Sequence, residues 1–338
     1  MRSGPPWSLV AWLGLCGALM LAAPAPPEPP PPTQDERAIG QRSVDMVVRD
    51  VRQWQRDHGD RTLPWDEARG HLAIVIDDVG RELHLFEQLQ ALRYPLTFSV
   101  LPSAVYAPGV QLRLRGDRRR YREIMLHLPM EPDRPELMTE GAEAQEIFLR
   151  SSDDPDALRT KVEAALRRVP AAVGVNNHMG SALTRDAAAM AVVMDVLREH
   201  ELYFLDSRTI GDTRAQEVAQ AHGVPALRRE VFLDHDPSAA AIETALDEAA
   251  RLARSRPVVA IAHPSAEVVE VLRRRLPLLH EQGVGVYPLS RLVSAASAAR
   301  PPADRPQSEH SSAATGGKRP GATDHASEPA DRSVVDPS

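Results

Sequence analysis

The sequence predicts an α/β fold in which parallel strands wrap into a closed or nearly closed barrel. Short β-rich segments alternate with amphipathic helical stretches. The alternation recurs about every 25–30 residues over roughly 220 residues, the rhythm of parallel strands joined by right-handed crossovers. Apolar runs such as LAIVI (72–76) and VVAIA (258–262) are continuous, as in strands covered on both faces. Seven or eight such units suit a barrel, and an open doubly wound sheet satisfies the same periodicity.

Taken in order, residues 1–25 read as an export signal. Arg2 supplies the positive start, and 7–23 is an uncharged run rich in Leu and Ala. It suits a signal better than a membrane span, which needs about 20 apolar residues. Ala22, Ala23 and Ala25 offer a cleavage region, with an uncleaved anchor as the alternative. The one cysteine, Cys16, lies inside this run behind Leu15, too large for a good lipoprotein signal. The exported remainder therefore has no disulfide, and any metal site there uses His and carboxylate ligands. Residues 26–33 form a proline-rich linker. Residues 34–69 form a helical extension in which Val44, Val47, Val48, Val51 and Trp54 recur at helical steps. The 34–58 stretch reads either as a helix packed on the main domain or as a partner-binding or dimerising helix. Residues 293–338, rich in Ala, Ser and Pro without periodicity, are expected to be a disordered tail.

The 70–292 region carries the alternation. Strands are expected at 71–79, 96–102, 123–130, 171–179, 202–209, 227–235, 258–264 and 284–290. Helices are expected at 81–92, 155–169, 185–200, 212–222, 237–254 and 266–282. Asp154 before Pro155 and Asp236 before Pro237 are good helix-start signals. Hydrophobic residues make up 43% of the 338, enough for a large core. With 40 Lys and Arg against 47 Asp and Glu, the formal charge of -7 gives no basic footprint, which argues against nucleic-acid binding.

The chemistry concentrates where strands end. Asp77 and Asp78 close the first, His127 the third, and Asn176, Asn177 and His178 the fourth. Asp206 ends the fifth, Asp234 and His235 the sixth, and His263 the seventh. In parallel α/β barrels these ends converge on one mouth, where active sites are built. Asp77 and Asp78 alternate in direction on a regular strand, and Asp78 also reads as a helix N-cap. Each histidine has an ordinary reading as a hydrogen-bonded strand-end residue. Two histidines with one carboxylate, however, form a familiar catalytic set for zinc, with a position left for water. Asn177 reads as an orienting or oxyanion-binding group or as a turn residue. Asp206 and Arg208 read as a structural ion pair or as groups that orient the catalytic residues. Phosphate-binding glycine loops and the GxSxG elbow are absent from the sequence.

The segments IVIDDVG (74–80), PLTFSVLP (95–102), EIMLHLPMEP (123–132), VGVNNHMGS (173–181), LYFLDSRT (202–209) and VAIAHPS (259–265) resemble the divergent polysaccharide deacetylases. These belong to the NodB-like carbohydrate esterase superfamily, and the resemblance covers about 70–292. It implies a distorted (β/α)7 barrel in an exported protein of the periplasm or cell envelope. It implies Asp77 as catalytic base, Asp78 as metal ligand and His263 as general acid. Beside these, Asp206 is counted with the catalytic residues and Asn177 and Arg208 with the substrate-binding or orienting ones. The superfamily's second metal histidine stands four residues after the first, but here that position is Glu131. His178 would then join Asp78 and His127 in holding a divalent metal, most simply Zn2+. The implied activity is removal of acetyl groups from an envelope polysaccharide or peptidoglycan-like glycan. The alternatives are a non-catalytic barrel that binds glycan or a protein partner, and a hydrolase acting on a peptide cross-bridge amide.

Overall fold

The structure, a computed structural model, describes residues 57–299 apart from 118 and 119, together with 34, 41, 45–50 and 53. The expected signal, the proline linker and residues 300–338 lie outside the described residues. The chain divides into Met1–Gly59 and Asp60–Ser338. In the first unit the described positions from 34 to 58 are helical, and the side chains of Met46 and Val47 are exposed. The helical extension expected to reach 69 stops at 58: 59–64 are not helical, and only the 3-10 turn Trp65–Glu67 follows before the first strand. Val44, Val51 and Trp54 lie outside the described residues. No helix among the described residues is long and apolar enough to cross a membrane.

The described residues of the second unit form nine parallel strands. They are β1 (Gly70–Val79), β2 (Thr97–Val100), β3 (Glu123–Met130), β4 (Gly174–Met179) and β5 (Tyr203–Asp206), then β6 (Ala226–Arg228), β7 (Val231–Phe232), β8 (Val258–Ala262) and β9 (Val284–Val286). The sheet order is β6-β5-β4-β3-β2-β1-β8-β7, and β9 pairs with the start of β1. The strand expected at 227–235 is broken in two. Arg229 N–H donates to Asp206 O on β5 at 2.9 Å, and the next residue, Glu230, donates to Val259 O on β8 at 2.9 Å. One passage of chain thus serves both edges of the curved sheet, giving the distorted (β/α)7 barrel rather than the open sheet.

The described residues of the second unit hold eight α-helices: α1 (His84–Ala91), α2 (Ala107–Gly116), α3 (Pro155–Arg168), α4 (Ala187–Glu199), α5 (Ala215–Ala221), α6 (Ala239–Ala253), α7 (Ala266–Glu281) and α8 (Leu289–Ala299). Asp154 caps α3 by accepting from Ala157 N, as expected. For α6 the cap is Ser238, not Asp236, whose carboxylate accepts from Ser238 N at 2.9 Å. Helix α2 carries Pro and Gly in its first turn and arginines in its last, so its apolar period is weak.

Strand alternation sorts the core into two layers. Leu72, Ile74 and Ile76 of β1 and Ile124, Leu126 and Leu128 of β3 pack with helix residues such as Val162, Val193, Leu246 and Leu272. Ala73, Val75, Met125, Leu205, Val259 and Ile261 face the other way and fill the barrel. Leu289, Leu292 and Val293 of α8 join this inner cluster. The expected tail from 293 is therefore corrected: 293–299 continue α8, because the apolar i, i+3, i+4 spacing of Leu289, Leu292 and Val293 gives the helix a buried face. Its first N–H groups are met by buried strand side chains. Leu289 N donates to Thr97 Oγ1 and Ser290 N to Glu123 Oε1, each at 3.1 Å. Glu123 also accepts from the Tyr203 hydroxyl at 3.0 Å. Tyr203 reaches it by lying across Gly174, where a Cβ would meet the ring at 2.3 Å.

Candidate metal and catalytic centre

The same alternation selects the site. Asp77 follows Ala73 and Val75 on the inner face of β1, and His127 follows Glu123 and Met125 on β3. His263 follows Val259 and Ile261, and His178 shares its face of β4 with Asn176. These positions bring Asp77, His127, Asn176 and His178 together, all buried. Asp78 would face outward on a regular strand. Instead β1 bulges: Ile76 pairs with Phe98 and Val79 with Val100, so three steps on β1 match two on β2. Asp78 takes a φ of 56° within that bulge, and its carboxylate turns toward the two histidines. Helix α1 begins later, at His84, so Asp78 is not its cap. Met179 (φ 54°) and Arg208 (φ 48°) take left-handed backbone at or just beyond the ends of β4 and β5. Strained residues at three strand ends of one mouth are the pattern of a functional site.

Asp78 Oδ1 stands 3.2 Å from His127 Nε2 and 3.0 Å from His178 Nδ1, and the two nitrogens are 3.2 Å apart. Ligand atoms held about 2.0–2.1 Å from a tetrahedral zinc stand roughly 3.3 Å from one another. The triangle is thus sized for a small divalent cation. Two further observations fit. Asp78 Oδ1 is buried, and neither imidazole is aligned to donate to it. The outer nitrogens of both rings are engaged: His127 Nδ1 lies 3.1 Å from Asn176 Oδ1, and His178 Nε2 lies 2.8 Å from Glu143 Oε2. Both partners accept, so the hydrogens sit on the outer nitrogens and the lone pairs point into the triangle. The residues present therefore fit a metal.

Without a cation the surrounding carboxylates favour a proton on His178 Nδ1, which a metal would displace. Burial alone would raise Asp78, but the nearby imidazoles of His127 and His178 outweigh it and hold the carboxyl well below the usual range. Burial opposes charge on His178, yet Asp78 and Glu143 push it up to about 9.

Asp77 lies beside this triangle, with its Oδ2 3.7 Å from His127 Nε2. Asn176 Nδ2 donates to both of its oxygens, at 2.9 and 3.1 Å. The Asn176 Oδ1 accepts from Ser99 Oγ, so one amide ties Asp77, His127 and Ser99 into a single network. Burial raises the Asp77 carboxyl above its ordinary range, against the pull of His127 and His263. His263 is half-buried; its backbone N–H donates to Asp234 at 2.7 Å and its Nδ1 lies 3.3 Å from the same carboxylate.

Other expected residues have supporting positions. Asp206 follows Phe204 on the outward face, and its carboxylate accepts from Arg208 N at 2.8 Å and Thr213 Oγ1 at 3.1 Å. It thus shapes the turn that carries Arg208 and makes no ion pair with the Arg208 guanidinium. Arg229 braces this turn by donating to the carbonyls of Ser207 and Arg208, at 2.7 and 2.8 Å. Asn177 donates to Met179 O at 2.7 Å and accepts from Ser207 N at 2.9 Å, so its amide joins the ends of β4 and β5. Glu131 accepts from Ser151 N at 2.7 Å in the loop after β3. Asn176 stands among the strand-end residues in the sequence, but its ties to Asp77 and His127 appear only in the fold. Glu143 sits in a non-periodic loop that gives no sequence signal.

The chain is 36% identical over 206 residues to the uncharacterized protein YibQ of Escherichia coli K12, a match covering 61% of this chain and 62% of that one. It thus spans a little less than two thirds of that relative's length. It is 34% identical over 215 residues to an uncharacterized protein of Haemophilus influenzae, covering 63% of this chain and 74% of the relative. Its fold resembles the crystal structure of the uncharacterized protein ATU2773 from Agrobacterium tumefaciens C58, with a TM-score of 0.59 and 23% identity. That likeness covers 69% of this chain and 93% of the other. Residues 74–293, well over half the chain, match the divergent polysaccharide deacetylase family, and the chain belongs to it.

Proposed function

We propose that this protein is a metal-dependent hydrolase that removes acetyl groups from a polysaccharide of the cell envelope. The observation that carries the reading is the Asp78–His127–His178 triangle, with the Asp77 carboxylate directly beside it. A bound divalent cation, with zinc the best match to two imidazoles and one carboxylate, would polarise a carbonyl and lower the pKa of water. Asp77, oriented by Asn176, takes the proton of the attacking water. The water oxygen bonds to the acetyl carbon. His263 gives its proton to the departing sugar nitrogen or oxygen as the bond to the acetyl carbon breaks, leaving acetate and the free amine or alcohol. Arg208 and Asn177 support the mouth around the sugar. Export to the periplasm or cell envelope belongs to the same proposal and rests on the composition of residues 1–25.

Acetate release from acetylated glycan oligomers, with and without added zinc, tests this. Asp77→Asn should lower turnover by about 10²–10⁴ while leaving metal binding intact, the cost typical of losing a general base. Metal binding without acetate release from any acetylated glycan would instead support a glycan-binding barrel.

A further inference from the structure

We infer that Glu143 is a positioning residue that prepares His178 to bind metal, and that the loop carrying it is part of the metal site. The inference rests on the metal-dependent reading above. His178 presents Nδ1 to Asp78 and His127 and Nε2 to Glu143. A neutral imidazole carries one hydrogen, and only the nitrogen without it can ligate. A carboxylate accepts and never donates, so the 2.8 Å contact with Glu143 places the hydrogen on Nε2 and frees Nδ1. For His127 this service comes from Asn176, on a strand of the barrel wall. For His178 it comes from the 3-10 turn Gly141–Gln145, which belongs to no strand or α-helix.

Several contacts hold that turn in place. Arg81 pairs with the other oxygen of Glu143, and its second arm lies 3.3 Å from Asp78 Oδ2. Asp78, His178, Glu143 and Arg81 thus form a closed ring of contacts. Glu146 accepts from Ser103 N at 3.2 Å, Leu149 bridges to Met130, and buried Phe148 packs beside His178 with ring centroids 6.1 Å apart. The loop thus ties a ligand from β4 to the bulge of β1.

Zinc affinity, measured by chelator competition for the full-length wild type, Glu143→Ala and Glu143→Gln, tests the inference. Loss of an outer partner of a metal-ligating histidine typically weakens binding about 10–100-fold, and Glu143→Ala should fall in that range. Glu143→Gln keeps an accepting oxygen and should recover most of the affinity. A purely structural role would not distinguish the two by the acceptor they retain. Wild-type affinity in Glu143→Ala, or equal losses in both variants, overturns the inference while leaving the metal-dependent reading standing. A wild type that binds no zinc overturns both. Circular dichroism of each variant shows whether the fold is retained. If Glu143→Ala does not fold, Glu143→Gln decides: affinity near wild type is expected, and a loss of about 10-fold or more overturns the inference.

Discussion

At the scale of single residues, the proposed reaction depends on two proton affinities moved by their surroundings. Burial alone would lower His263, but Asp234, Asp78 and Asp77 together push it up to about 9. A general acid works while protonated, so turnover should persist through neutrality and fall as pH rises through the His263 pKa. A bound cation offsets the charge of Asp78, placing that limb at or below about 9. Asp234→Asn removes one of the raising charges and should shift the alkaline limb to lower pH, with little change in turnover at pH values where His263 stays protonated. Paired pH–rate profiles check this, and an unmoved limb would show that Asp234 does not set the proton affinity. Asp77, the proposed base, works in the opposite sense. Burial raises it, and as a base it acts when ionised, so the acid limb should stand above the ordinary carboxylate range.

At the scale of elements, α8 closes the end of the barrel opposite the mouth. Leu292 is 1% exposed within the inner cluster, and Leu292→Ala should cost about 2–5 kcal/mol, the range for buried Leu-to-Ala changes. Denaturant melts measure it; a loss below about 0.5 kcal/mol, the scale of surface changes, would mean α8 does not seal the core. The strands that carry the site were legible because apolar alternation puts Asp77, His127 and His263 on the face already occupied by Val75, Met125 and Ile261. The helices were legible to within a few residues where caps such as Asp154 mark them. What escaped depends on long-range contacts. The bulge that turns Asp78 inward is a pairing irregularity between β1 and β2, invisible in either segment alone. The break between β6 and β7 exists because successive residues meet different edges. Glu143 lies in a loop whose shape is set by Arg81, Ser103 and Met130.

At the scale of the whole molecule, the barrel brings distant stretches of chain to one mouth. The candidate ligand atoms come from positions 78, 127 and 178, the proposed base from 77 and the proposed acid from 263. The wall beneath them is apolar and close-packed, so the polar groups at the top have few places to move. Two carboxylates and two histidines gathered this way carry a desolvation cost that a cation would offset. The proposed chemistry stands or falls with Asp78, His127 and His178 acting together as a metal site. Metal content of the purified full-length protein, loaded with zinc and dialysed, reads this out without any assumption about substrate. About one zinc ion per chain is expected in the wild type, and its loss in His178→Ala, since three protein ligands and an open position make one site. A metal-free wild type, or undiminished zinc in His178→Ala, would contradict it.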